Sequence, residues 1–193
     1  MSWNLFKTMM KSYMDNPNGV KSKEDFAKQF TQAYDMTMKT GSVITQGFGG
    51  LPLPIATGNT EVMEKLMIVA CSIAFTKSET GKHKWLKDIG QAILGYWGGV
   101  TLVQIPPMIP AIGSFQNLAL NTGFVSNPGT WSNTPSEQPS ETTDLFLDMF
   151  ISYSQIHLTT IQFTCMTTSL YPGFPLIPAL PGFIDLTGYS IPS

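Results

Sequence analysis

The chain has 193 residues, enough for one domain around a single core, and only 12% of them are charged while 42% are hydrophobic. All eleven basic residues are lysines, and with no arginine and a pI near 5.6 the chain lacks the basic stripe and the bidentate guanidinium contacts of a nucleic-acid binder. Two cysteines without a CxxC spacing exclude a zinc ribbon or a disulfide framework and point to a reducing place of assembly.

In chain order, Trp3, Phe6, Met10 and Tyr13 share one helical face and predict a helix over residues 3–14, closed by the turn Asp15-Asn16-Pro17-Asn18-Gly19. The lysines interleaved with these aromatics are unlike a signal peptide. Ser22 and Asp25 stand three apart like a capping box, with Asp for the usual Glu, and open a second helix whose stripe is Phe26, Phe30, Ala33 and Tyr34. Residues 43–59 are rich in Gly and Pro. Gly47-Phe48-Gly49-Gly50 lacks the spacing and the following helix of a phosphate loop, so no nucleotide is expected there. A third helix is predicted over 60–77, capped by Thr60, with Glu61 and Glu64 in its first turn. Val62, Met63, Leu66, Met67, Val69, Ala70, Ile73 and Phe75 surround it almost completely, which reads as a core helix. His83, between Lys82 and Lys84, reads as a solvated loop residue.

Between Asp88 and Glu137 lie 48 residues without a charge. The run opens as a helical face of Trp85, Ile89, Ala92, Ile93, Tyr96 and Trp97, which Gly98 and Gly99 end. Pro106, Pro107 and Pro110 then predict an extended strap over 105–111. The stretch 89–113 is long enough to cross a bilayer of roughly 30 Å, yet its prolines and glycines would leave backbone groups unsatisfied in lipid, so no membrane span is expected. Residues 117–131 and 132–143 read as irregular or linker. A long helix is predicted over 142–165 with Leu145, Phe146, Met149, Phe150, Tyr153 and Ile156 inward. Asp144 and Asp148 read as a solvated helix start rather than a metal pair, and His157 as a hydrogen-bonded core histidine. The tail from Tyr171 to Ser193 carries five prolines and aromatics every few residues, the pattern of an extended arm that is stable only when it lies on its own domain or on a neighbour.

The expected fold is therefore mainly α: about five helices in a bundle, with long Pro/Gly-rich extended segments. Residues 1–170 form the helical domain with an internal strap (98–143), and residues 171–193 form a C-terminal arm. Charge is divided along the chain, net +4 up to Lys87 and −6 from Asp88 onward, which suits head-to-tail contact between copies or docking on a partner. Trp97, Trp131, Tyr171, Phe174 and Phe183 are the aromatics expected at contacts, with packing inside the chain an equal reading for Trp97.

The order of Phe26 and Phe30 with Tyr34, Gly58-Asn59-Thr60, IGQAILGYWGG, PPMIP, NPGTW, FLDMFI, HLTTI, YPGFP and GYSIP resembles small virion structural proteins of tailed bacteriophages and related large DNA viruses. The resemblance implies a multi-copy building block of capsid, neck, tail or baseplate, assembled in the host cytoplasm, without enzymatic activity or cofactor. Its partners are then other virion proteins and copies of itself, with no direct contact to nucleic acid. Two other readings are a membrane-associated or pore-forming protein using 89–113, and a small hydrolase using His83 or His157.

Overall fold

Helix α1 (Ser2–Met14) buries Trp3, Phe6 and Met10 along one stripe, and α2 (Lys23–Met38) buries Ala27, Phe30, Ala33, Tyr34 and Met38. A computed structural model describes residues 2–45, 51–72, 79–102, 111–114, 139–160, 162–167 and 180–185. Three further helices follow among the described residues: α3 (Thr60–Ser72), α4 (Glu79–Trp97) and α5 (Pro139–Thr160). The fold is mainly α, as the periodicity predicts. The core is one continuous cluster in which rings from four helices meet, with Phe150 of α5 at 4.8 Å from Phe30 and 5.1 Å from Phe6 between centroids. Tyr96 and Trp97 of α4 join it through Tyr34, whose ring stands edge-on to Tyr96 at 5.0 Å.

The segments between and after the helices supply six strands: β1 (Ser42–Thr45), β2 (Leu51–Thr57), β3 (Thr101–Leu102), β4 (Ala111–Ser114), β5 (Gln162–Thr167) and β6 (Leu180–Asp185). They close into an antiparallel barrel in chain order, and β6 returns to pair with β1. Pro52 and Pro54 are tolerated in β2 because β3 reaches only Ile55 and Thr57, so the prolines have a neighbouring strand on one side alone.

Antiparallel order has a consequence for the whole molecule. The starts of β1, β3 and β5 and the ends of β2, β4 and β6 fall at one end of the barrel. The helices attach there, α2 to β1, β2 to α3, α4 to β3 and α5 to β5, through links of one to three residues. The strand ends joined by 46–50, 103–110 and 168–179 lie at the opposite end, and none of these three stretches contains a charged residue.

Several expectations are corrected. The helix expected over 142–165 ends at Thr160, and Cys165 lies in β5, where it pairs in register with Leu180. Thr159, Thr160, Ile161, Thr164 and Thr167 are β-branched and disfavour helix, while β4 and β6 offer a ladder on both sides. Along α5, Phe146 and Phe150 are buried as expected and Met149 packs partly buried against them, but Leu145 is exposed and Thr143, Leu147, Ile151 and Ser154 are inside; the side chains of Tyr153 and Ile156 lie outside the described residues. Helix α3 is not a core helix on all sides, since Val69 is 58% exposed and only Met63, Met67 and Ala70 are buried. Helix α4 begins at Glu79 and so takes in Lys82, His83 and Lys84, which read as loop from sequence. Of the two placements open to the arm, its described part takes the first, since Leu180–Asp185 is the strand that closes the chain's own barrel.

Candidate functional site

The most specialised group of side chains sits where the helices meet the barrel. Asp35, on the last turns of α2, is only 7% exposed. Its Oδ1 accepts from the Tyr96 hydroxyl of α4 at 2.9 Å, from the Thr57 hydroxyl at the end of β2 at 3.2 Å, and from the Gly58 backbone N–H at 3.3 Å. Its Oδ2 pairs with Lys39 Nζ at 2.5 Å, one helical turn on. One buried carboxylate therefore ties two helices, a strand and the turn into a third helix. A carboxylate is an acceptor with room for several donors, which is what so crowded a junction needs.

Glycine makes the junction possible. A Cβ on Gly58 would lie 2.1 Å from Cζ of Tyr96, so any other residue would push the ring off Asp35. The Asn59 N–H donates to the Tyr96 carbonyl at 2.9 Å, and its side-chain Oδ1 accepts from the Val62 N–H at 3.2 Å. Asn59 is thus the cap of α3, one residue ahead of the Thr60 expected from sequence. A Cβ on Gly99 would come within 2.9 Å of Asn59 Cβ. The Gly58-Asn59-Thr60 and GYWGG motifs, far apart in sequence, therefore interlock. Beside them the indole of Trp97 donates to the Tyr34 hydroxyl at 2.9 Å.

A second cluster joins α1 to α5. Lys7 Nζ lies 2.6 Å from Asp148 and 3.6 Å from Asp144, and Lys11 hydrogen-bonds Asp144 on its other oxygen. The hydrogen bond from Lys11 holds the Asp144 carboxyl below the usual carboxylate range against the opposing effect of burial, and the same bond raises Lys11. Asp144 and Asp148 are consequently lysine-paired side chains, but because α5 begins at Pro139 rather than near 142 they lie one to three turns inside it and not at its start. The opposite charge of the two halves of the chain is spent here within one molecule, rather than being left wholly for another copy. Because these groups are open to water, the pairs set the orientation of α1 on α5 more than they stabilise it.

Tyr13, half-buried on α1, donates to Asp25 Oδ2 at 2.9 Å. Asp25 is thereby drawn away from a reciprocal capping box, and only the Ser22 half forms, with Oγ accepting from the Asp25 N–H. Burial, reinforced by the acceptor carboxylate, pushes the Tyr13 phenol up from 10 to about 12. A raised pKa means that the fold prefers the neutral phenol, so this contribution to stability is complete below pH 10 and is lost as pH rises from 10 through 12. The expected result is that unfolding curves of the wild type and Tyr13→Phe differ below pH 10 and converge toward pH 12. A difference that stayed constant over that range would show that the phenol does not titrate against folding. Tyr13 also lines an open groove of about 330 Å³ between α1 and α2, with Met9, Met10, Ser12, Asn16 and Gln29. No histidine, carboxylate or lysine is among its lining residues, so Ser12 has no base there.

Of the aromatics expected at contacts, Trp97 is wholly buried in the protein's own core and takes the intramolecular of its two roles. Phe183 lies in β6, in register with Ile44 and Gln162. Trp131, Tyr171 and Phe174 lie outside the described residues. His83 and His157 are separated onto α4 and α5. No group of three or more metal-ligating side chains occurs among the described residues. The stretch 89–113 is not one apolar helix: α4 ends at Trp97, its face from Ile89 to Trp97 is buried, and no described helix is long and apolar enough to cross a membrane. The sequence reading missed the Asp35 junction. A lone Asp among Phe30, Ala33, Tyr34 and Met38 on a buried stripe is the signal that could have found it.

Comparison with known protein families, with curated proteins and with solved structures gives no match.

Proposed function

We propose that this chain is a virion structural protein, a multi-copy building block of a tailed-phage capsid, neck, tail or baseplate that clamps neighbouring subunits. It works without enzymatic activity or a cofactor, and its partners are other virion proteins and copies of itself. The observation that carries the reading is the segregation of the barrel ends. The helices attach at one end, while the strand ends joined by three charge-free stretches, rich in Gly, Pro and apolar residues, lie at the other. Apolar segments of this kind gain stability when another surface covers them. A second support is that Asp35, Gly58, Asn59, Tyr96 and Trp97 are all used to join elements, as a load-transmitting part requires.

The test is quantitative mass spectrometry of purified particles of the virus that encodes the chain. The expected result is stoichiometric presence beside the other symmetric components of the particle. Recovery only from infected-cell extract, with none in particles, would remove the proposal.

A further inference from the structure

We infer that β6 is an exchangeable strand, and that the slot between β1 and β5 accepts the β6 of a second copy of this chain. This inference rests on the multi-copy reading above and names the partner and the contact. In the barrel, β6 is paired on both sides, Ser42–Thr45 of β1 against Gly182–Asp185 and Gln162–Cys165 of β5 against Leu180–Phe183. Without it, β1 and β5 would each present an unpaired edge, the strongest template a protein offers to another chain.

Three features make β6 the strand that can come from elsewhere. It is the seam of the barrel, paired only with the first and fifth strands, so its departure leaves the pairs β1–β2, β2–β3, β3–β4 and β4–β5 intact. It carries Pro181 and Gly182, one lacking an N–H and the other a side chain, which weakens its hold relative to β5. Its connection to β5 is the 12-residue stretch 168–179, with prolines at 172, 175 and 178, against five residues joining β1 to β2. A hairpin needs roughly 2–5 residues to reverse the chain. Twelve residues could span up to about 40 Å, enough to reach a neighbouring copy as well as the same barrel. An exchanged strand forms the same backbone pairs as a resident one, so exchange costs little beyond bringing two copies together. It would also leave from the charge-free end of the barrel, the end assigned to neighbours above.

Cys165 and Leu180 are partners in register across β5 and β6, which gives a direct test on the full-length chain. Leu180→Cys, in a Cys71→Ser background, is prepared in a light and a heavy-isotope form. The two are mixed, oxidised and analysed for disulfides joining positions 165 and 180. The expected result is light–heavy covalent dimers whose yield rises with protein concentration. Disulfides confined within single chains at every concentration would overturn strand exchange while leaving the particle measurement to decide the virion role. A Phe163→Cys, Gly182→Cys pair, also in register, repeats the test should position 180 disturb folding. Failure of both pairs to link in any form, in protein whose thermal unfolding matches the parent, would also overturn it.

Discussion

Replacing Phe150 by alanine is expected to lower unfolding stability by about 3–5 kcal/mol, a large share of the total for a single domain. The ring is 1% exposed and lies among four others, at 4.8 Å from Phe30, 5.1 Å from Phe6, 6.3 Å from Tyr34 and 6.4 Å from Trp3. Those rings come from α1 and α2, so the cavity would open between three helices. Leu145→Ala, five residues away on the same helix but 40% exposed, is the control and should fall near 0.5 kcal/mol. Urea unfolding of both variants measures the difference. Comparable losses would mean that α5 does not present Phe150 to the core.

Asp35→Ala is expected to cost about 3–5 kcal/mol, by a different route. Lys39 is partly exposed and can turn to water, whereas the Tyr96 hydroxyl and the Gly58 N–H are buried and lose their acceptor. Each such orphan costs about 1–3 kcal/mol. Tyr96→Phe removes one donor and leaves the carboxylate its other partners, so its loss should be near 1 kcal/mol. The double variant should lose less than the sum of the two, because both delete the same hydrogen bond. Additive losses in this cycle would show that Asp35 and Tyr96 act independently and that the junction is not a unit.

How much of this was readable in the residues follows from the range over which each force acts. Helix existence is written locally, because a stripe at three- and four-residue spacing needs only a core to face. Trp3, Phe6 and Met10, then Phe30, Ala33 and Tyr34, then Ile89, Ala92, Ile93, Tyr96 and Trp97 were all legible and all are buried. The Gly98-Gly99 stop was legible for the same reason. Helix ends without such punctuation were not. The β-branched residues from Thr159 onward weaken the helix locally but do not fix Thr160 as its end, since the choice of strand for the residues beyond it is made by pairing with β4 and β6.

The sequence by itself determined a mainly helical core, the scarcity of charge and the division of that charge along the chain. Only the tertiary structure decided that the Gly- and Pro-rich segments pair as strands, because a ladder is formed with residues distant in sequence and prolines such as Pro52 and Pro54 argue locally against it. Only the tertiary structure brought Asp35 to Gly58 and Tyr96, and Lys7 and Lys11 to Asp144 and Asp148. Hydrogen bonds and ion pairs act over a few ångströms of space, and sequence spacing carries no information about which remote partner will arrive there.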